Sequence, residues 1–566
     1  MMFETVIGDT PARSATIPMV IAWLDRRDDR PSLIILSLPP PYRAASPNAL
    51  QAAKTFEKRC TLLCVDRERS RQPQPRPFVK ARRILTRLAH CENSATPTID
   101  RKGSGMSEAK FSRGWLRRDV VSAALGTAAL GISSAAASKP RRPSNIVLIV
   151  CDDLGYGDIG ATGGRTIRTP NIDRLAGEGT VFTDYYAAAN LCTPSRAGLL
   201  TGRYPVRTGL GYQVILVDDD RGLPQSEVTI AEALKPAGYV SGLFGKWHLG
   251  HRGPAWPPTN HGFDRFFGIP YSHDMTPLSL FSVDAGGPIR SEPADLPQLQ
   301  QRFYAEAERF ITANAAKPFF VELALSAPHL PEHPHAPFSG TSPAGDYGDV
   351  VGEIDSIVGR LLDRLKQLGL DRDTMVLFTS DNGPWFEGSA GGLRQRKGGG
   401  GYDGGYRVPL IVRQPGVVPA NHRSNTMTMA IDFLPTFCAM AGVAPPAGVT
   451  LDGRDIMPVL RGATMVSPHD ELVLFDNEEP VAIRTQRWKF VASDYYRGRR
   501  FPTDPLYPQL YDVAADPSES YSLASRYPEV LADMRSRLQR AKATFAPFKS
   551  KTIPPVFARS AAMHQD

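Results

Sequence analysis

The chain of 566 residues contains no run of about twenty uncharged apolar residues, which excludes a protein that crosses a membrane several times. Cysteine is scarce as well. The six present (Cys60, Cys64, Cys91, Cys151, Cys192 and Cys438) are too few to staple this length into a disulfide scaffold. No segment repeats. The whole chain holds 66 Lys and Arg against 58 Asp and Glu, a formal net charge of +8. Residues 1–137 carry 22 basic and 12 acidic residues, so the remaining 429 carry 44 and 46, a net of −2. The later part therefore lacks the basic surplus on which nucleic-acid binding depends, and nucleic acid is not expected as its partner. What is present is apolar. With 42% hydrophobic and 22% charged residues, the chain is globular, has a large core and exceeds one ordinary domain.

Residues 1–105 show no sustained helical or strand period. Short apolar stretches such as Ile34–Leu38 sit among Pro–Arg segments such as Arg71–Arg76. Cys60, Cys64 and Cys91 with His90 fall at spacings that chance explains better than zinc. Ser107–Arg118 is polar and basic and ends in Trp115-Leu116-Arg117-Arg118; Val120–Ile132 is a short stretch of small apolar residues, and Ala135–Ala137 fits a cleavage site. This pattern predicts a twin-arginine-type signal peptide over 106–137, with export machinery as a partner and a periplasmic or secreted product. Because such a signal works from the start of a chain, translation is expected to begin at Met106. Residues 1–105 are then expected to be a non-native or disordered extension.

From Asn145 onward, apolar runs alternate with amphipathic stretches. Ile146–Cys151, Val240–Phe244, Phe319–Leu325, Met375–Thr379 and Leu410–Val412 read as strands. Asn171–Glu178, Thr229–Lys235, Leu299–Asn314, Val350–Leu368 and Thr428–Ala441 read as helices. Near-continuous apolar strands alternating with helices predict an α/β fold whose mostly parallel sheet is sandwiched by helices, over residues 144–445. Beyond that, Leu472–Phe475, Val481–Thr485 and Trp488–Val491 suggest a small antiparallel sheet, and Tyr527–Lys542 a closing helix. Residues 446–566 are thus expected to form a smaller C-terminal α+β subdomain. Cys151 and Cys438 read as buried structural thiols.

Ligands of open α/β sheets bind beyond the carboxyl ends of the strands. Here those ends carry Asp152-Asp153, then Lys246 with His248, then His329, then Asp381-Asn382. One Asp at a strand end is more often a helix cap or turn residue. Two acidic pairs on two strands weaken that explanation. Three carboxylates and an amide are hard oxygen donors, which suit Ca²⁺ or Mg²⁺ and not zinc. Lys246, His248, His329 and Lys397 around such a cation suit a tetrahedral oxyanion, with a histidine protonating the leaving oxygen. Lys397 precedes Gly398–Gly401, which lets backbone approach a ligand closely; a plain surface loop is the blander reading. Trp385, Phe386, Glu387 and Arg394 lie between Asn382 and Lys397, where they either rim the pocket or belong to a surface loop.

The segment Cys192-Thr193-Pro194-Ser195-Arg196, followed by Leu200-Thr201-Gly202-Arg203, resembles the signature of the sulfatase family, in which the cysteine is oxidised to formylglycine. Asn145–Gly157, Gly245–Gly250, Asp381–Gly383 and Gln509–Asp512 with Asp516-Pro517 resemble further motifs of that family. Gly262–Asp274 is most similar to its arylsulfatase A and galactosamine-sulfatase branch. The resemblance implies an alkaline-phosphatase-like fold and hydrolysis of an aryl or carbohydrate sulfate ester through a formylglycine-diol sulfo-enzyme intermediate. It implies Ca²⁺, with Mg²⁺ as the other candidate, held by Asp152, Asp153, Asp381, Asn382 and the modified Cys192. It also implies a formylglycine-generating enzyme as a maturation partner. By the same resemblance Asp381 helps activate the diol and Arg196 and His248 hold it. Lys246, Lys397 and Ser272 grip sulfate oxygens, and His329, helped by Lys397, binds substrate and protonates the leaving group. A phosphomonoester or phosphonate hydrolase of the same superfamily is the alternative. A non-catalytic sugar-sulfate-binding protein would be expected to have lost Cys192 or the acidic set, and neither is lost.

Overall fold

The computed structural model describes residues 143–493 and 507–550, together with a two-residue antiparallel pairing of Leu24–Asp25 with Ser32–Leu33. Contacts divide the chain into two units, Met1–Leu130 and Gly131–Asp566. Apart from that pairing, the expectations for residues 1–105, for a signal over 106–137 and for Cys60, Cys64 and Cys91 lie outside the described residues. No helix among the described residues is long and apolar enough to cross a membrane.

The seven residues of β1 (Asn145–Cys151) are buried along their whole length. Strand alternation sends Ile146, Leu148 and Val150 into one core and Val147, Ile149 and Cys151 into another. One strand thus serves two faces, which is why its sequence is continuously apolar. In chain order follow α1 (Pro170–Gly177), β2 (Thr180–Phe182), α2 (Cys192–Thr201), β3 (Val240–Lys246), β4 (Arg265–Ile269), β5 (Ser279–Asp284) and β6 (Arg290–Pro293). Then come α3 (Leu299–Ala313), β7 (Phe319–Ala324), α4 (Gly345–Gln367), β8 (Thr374–Ser380), β9 (Leu410–Arg413), β10 (His422–Ser424) and α5 (Phe433–Ala441). The ten strands form one sheet in the order β10-β2-β9-β8-β1-β7-β3-β4-β5-β6. Its centre, β8 to β4, is parallel; β9 on one side and β5 and β6 on the other run antiparallel to their neighbours.

Helix α4 shows how the layers are held. Val351, Ile354, Val358, Leu361, Leu362 and Leu365 recur at helical spacing and pack with Phe303 and Ile311 of α3 and Ile172 of α1. The opposite face carries α2 and α5, through Leu199, Leu200, Phe433 and Phe437. The helix-covered, mostly parallel sheet is present as expected.

The small sheet is antiparallel in the order β11 (Leu472–Asp476), β12 (Glu479–Arg484), β13 (Trp488–Val491), β14 (Gln509–Asp512). Helix α6 (Pro528–Phe545) packs on β12. Leu474, Ile483, Phe490 and Leu538 join the same core as α2 and α5, so this sheet abuts the face that carries Cys192.

Two helix boundaries differ from expectation. Thr428–Met429 is a short strand parallel to Tyr185–Tyr186, and its helix starts at Phe433; the Asp432 carboxylate accepts the Met429 N–H at 2.9 Å and closes the turn between them. Helix α4 begins at Gly345, ahead of the expected Val350. Strands β2 and β4–β6 carried no clear apolar run. Strand β6, Arg-Ser-Glu-Pro, is exposed throughout as the sheet's edge, so burial left no mark on its sequence.

Candidate active site

Four neighbouring parallel strands end together. Register pairs Cys151 of β1 with Ser380 of β8, and Ala324 of β7 with both Val150 of β1 and Gly245 of β3. Hydrogen bonds continue past the strand ends: Asp381 N–H donates to the Cys151 carbonyl at 3.0 Å and Asp152 N–H to the Ala327 carbonyl at 3.1 Å. The spacing is tight enough to demand glycine. Gly245 has φ +129°, and a Cβ there would stand 1.8 Å from the Ala324 carbonyl oxygen.

Cys192 reaches this edge from the side, as the first residue of α2, a helix buried in all ten positions. Its Sγ lies 3.5 Å from Asp152 Oδ1 and 3.9 Å from Asp153 Oδ1, and Lys397 Nζ stands 3.1 Å from it. Lys397 also pairs with both Asp153 oxygens, at 2.7 and 2.8 Å. Lys246 Nζ meets Asp152 Oδ2 at 2.6 Å. Arg196, one turn along α2 from Cys192, holds Asp381 Oδ2 through Nε at 2.9 Å and through its second nitrogen at 2.8 Å. It also donates to the Lys246 carbonyl at 3.1 Å.

Two residues here adopt left-handed backbone without being glycine: Asp153 at φ 66° and His248 at φ 57°. Such conformations cost energy that the surrounding structure must offset, and they cluster at functional sites. His248 Nε2 lies 2.9 Å from the Ile215 carbonyl, while its buried Nδ1 has no hydrogen-bond partner. Burial, with Lys246 adding to it, holds this imidazole well below its usual value, so the ring is neutral. With Nε2 as the donor, Nδ1 presents a bare lone pair. Thr193 fixes the arrangement by donating to the His248 carbonyl at 3.0 Å and accepting the Ile215 N–H at 3.1 Å. His329 commits Nδ1 to the Leu330 carbonyl at 2.6 Å and turns Nε2 toward Asp153 Oδ2 at 3.7 Å.

Charge and burial set the chemistry. Burial works against ionisation of Asp152, but Lys246, His329 and Arg196 outweigh it and hold its carboxyl well below the usual range. At Asp381 burial wins over Arg196, and the carboxyl is raised. Burial also pushes the Cys192 thiol far up, against the pull of Lys246 and Lys397. An unmodified thiol here stays protonated and is a poor nucleophile.

The same residues fit a hard cation. Asp152, Asp153, Cys192 and Asp381 each offer a ligand atom within 4.8 Å of the others. Asn382 donates its amide nitrogen to Asp153 Oδ1 at 2.7 Å and leaves its buried Oδ1 with no partner. A buried amide oxygen without a donor, beside three carboxylates, is what an oxygen-coordinated divalent ion requires.

Every sequence-predicted site residue except Ser272 and His248 is thus tied into one cluster by the contacts above, and His248 is joined to it only through Thr193, the neighbour of Cys192. Ser272 lies three residues past the end of β4, buried, its hydroxyl without a partner. Its neighbour His273 packs against His329 at 5.6 Å between ring centroids and has an unpartnered Nδ1. His273 was overlooked although it stands inside the Gly262–Asp274 motif. Glu322, buried in mid-strand on β7 with a partnerless oxygen, was overlooked because its neighbours are all apolar.

Carboxylates, lysines and histidines gathered at one edge of a parallel sheet mark a hydrolase for esters of a tetrahedral oxyacid. The comparisons name it more closely. The sulfatase family model matches residues 144–443, and the model for the C-terminal region of N-sulphoglucosamine sulphohydrolase matches 401–544. Arylsulfatase A of Homo sapiens is 40% identical over 454 residues, covering 71% of this chain and 88% of that protein. N-acetylgalactosamine-6-sulfatase of Canis lupus familiaris is 38% identical over 383 residues, 61% of this chain and 72% of that protein. The PsFucS1 sulfatase from Pseudoalteromonas sp. superposes with a TM-score of 0.66 at 28% identity, over 73% of this chain and 92% of that one. The chain belongs to the sulfatase family, with its alkaline-phosphatase-like fold, and is a sulfuric ester hydrolase.

Proposed function

We propose that this chain hydrolyses an aryl or saccharide sulfate ester, using formylglycine made from Cys192 and a divalent cation, Ca²⁺ ahead of Mg²⁺. The observation that carries this reading is the position of Cys192. It begins a buried helix, within 4.8 Å of three carboxylates and in contact with Lys397, yet its own thiol is held protonated. When present, the hydrated aldehyde supplies the attacking oxygen, and the cation, held by Asp152, Asp153, Asp381 and Asn382, neutralises charge developing on sulfate.

The remaining work falls to this chain's own side chains. The bare Nδ1 of His248 accepts a hydrogen bond from a hydroxyl at position 192, and Arg196 holds Asp381 in place. Lys246, Lys397 and Ser272 take sulfate oxygens. His329 has its Nδ1 proton committed to a carbonyl, so the proton it gives the departing oxygen comes from Nε2, leaving a neutral ring. Three carboxylates already face three cations, Arg196, Lys246 and Lys397. Adding a dication leaves the site positive, and a monoanionic ester offsets part of that excess. The helix N-terminus at Cys192 favours the same anion.

Cys192 is sealed once the chain closes, so a formylglycine-generating enzyme has to act before folding is complete. The basic, apolar and Ala-rich segments of 106–137 support twin-arginine export to the periplasm or beyond after that step.

The test is a side-by-side assay of an aryl sulfate and an aryl phosphate, with the mass of the peptide carrying position 192. Sulfate turnover with an aldehyde mass is the expected result. Preferred phosphate cleavage would transfer the assignment to the phosphomonoester or phosphonate hydrolases. An active enzyme with an intact thiol would overturn the mechanism.

A further inference from the structure

Lys397 reaches the centre from a segment that has almost nothing of its own to hold it. Gly398 to Gly401 follow it directly, with Gly398 at φ 70° and Gly400 at φ 67°. Four glycines in sequence bring no side chains to pack and a large entropy of ordering. A lysine placed to within ångströms at the head of such a run needs anchors on both sides of it.

The anchors come from the C-terminal region, and Glu519 supplies both. Upstream, the Glu519 carbonyl accepts Arg394 at 2.7 Å, and the same guanidinium donates to Tyr511 at 3.0 Å and lies over the Tyr402 ring at 4.3 Å. Downstream, Glu519 Oε2 accepts the Asp403 backbone N–H at 2.8 Å. Its other oxygen lies 3.0 Å from Lys489 Nζ, and Lys489 meets Asp403 Oδ1 at 2.5 Å. Glu519, Lys489 and Asp403 are all fully buried.

The pairing extends without leaving a buried charge alone. Tyr186 donates to Asp403 at 3.1 Å and accepts from Arg484 at 2.8 Å; Arg484 pairs with Asp184 at 2.8 Å, and Arg407 approaches Asp403 at 3.6 Å. Between the anchors, the loop is keyed into the active site. Gly398 N–H donates to the Asn190 carbonyl at 3.0 Å, the Asn190 amide to the Gly400 carbonyl at 2.9 Å, and Lys397 N–H to the Pro384 carbonyl at 3.1 Å. Asn190 lies two residues before Cys192, and Pro384 two after Asn382.

We infer that Lys489 and Glu519 are positioning residues for Lys397: the C-terminal region staples both ends of the glycine loop and so sets that lysine against Cys192 and Asp153. This rests on the reading above for the role of Lys397 in catalysis. It gives the small sheet a part in the reaction although neither of these residues reaches the reacting atoms. Buried ion networks of this sort are costly to break and specify one arrangement.

The experiment uses Lys489→Met, with Glu519→Gln as a second variant should the first not fold, each alone and combined with Lys397→Ala. Turnover of an aryl sulfate and hydrogen exchange of the 397–401 amides are measured together. Each single variant is expected to lose about 10- to 100-fold in kcat with KM changed less, as misplacement of a reacting group does. In the Lys397→Ala background the further loss should shrink to about threefold or less, because coupled residues do not act independently. The 397–401 amides should exchange faster while those of β1 and β8 do not. Equal losses in both backgrounds, or unchanged loop exchange, would overturn the staple. A parent enzyme that cleaves no sulfate ester would instead sink the functional reading, and the exchange data would still decide whether the loop is held this way.

Discussion

Lys246 and Asp152 form an ion pair from which water is wholly excluded: Nζ lies 2.6 Å from Oδ2, and neither side chain has any exposure. The pair joins the ends of β3 and β1 across β7, which lies between them in the sheet. Lys246 also has its carbonyl bound by Arg196, so backbone and side chain are both tied to the carboxylate cluster.

Removing the ammonium leaves a carboxylate buried without that partner. Lys246→Met is expected to cost roughly 3–5 kcal/mol in stability when metal is absent, the range for breaking a buried pair. Saturating Ca²⁺ should restore part of that loss, because a cation substitutes for the missing charge. Denaturant unfolding with and without the ion measures both quantities. A loss below about 1 kcal/mol would show that Asp152 is solvated or neutral in the fold.

Cys192→Ala is the sharpest test at the reacting atom. The substitution is small and its surroundings are otherwise unchanged, so the melting temperature should stay close to that of the parent. Turnover should fall by on the order of 10⁴-fold or more, as loss of an enzyme nucleophile does. Near-parental turnover would rule out any role for position 192 in the covalent step.

Chelation and Asn382→Ala probe the cation. Its carboxylate neighbours each have a lysine or arginine partner, whereas Asn382 Oδ1 has none and is left to the metal. Removing bound metal should lower both activity and melting temperature, and Ca²⁺ at about 100 times its dissociation constant should return roughly 2.7 kcal/mol. Asn382→Ala should raise the Ca²⁺ concentration needed for that recovery. An activity that survives verified metal removal would exclude the site.

How much of this could be read from the chain alone follows from the same geometry. Strands β1, β3, β7, β8 and β9 are buried on both faces, and such burial writes an unbroken apolar run. The residues that end those strands are polar against that background, so Asp152, Lys246, His329 and Asp381 stood out. Strand β2 has three residues, β5 is only partly buried and β6 is the exposed edge, so these leave weaker patterns, while β4 has a glycine within its apolar residues. Lys489 was illegible for another reason. In the stretch Gln486–Phe490 it reads as a solvated charge, and only its pairings with Glu519 and with Asp403, 86 residues away in sequence, bury it.

Acid sensitivity can be assigned to a histidine outside the carboxylate cluster. His261 is buried, with its ring 5.5 Å from that of Trp247 and its Nε2 3.3 Å from the Gln225 amide. Burial pushes its imidazole down from 6.5 to about 4. Above 6.5 the ring is neutral in both folded and unfolded chains, and pH has no effect through it. As pH falls below that value the unfolded chain takes up a proton that the folded chain refuses, so stability drops until about 4. His261→Phe keeps a ring in the same place and removes the proton site. The stability gap between parent and variant should therefore shift by roughly 2 kcal/mol between pH 7 and pH 5, with the parent losing more. His273 is also pushed down to about 4 by burial and by His329, but it is present in both proteins and cancels in the difference. A gap that stays constant over that interval would mean that His261 takes up its proton as readily in the folded chain as in the unfolded one.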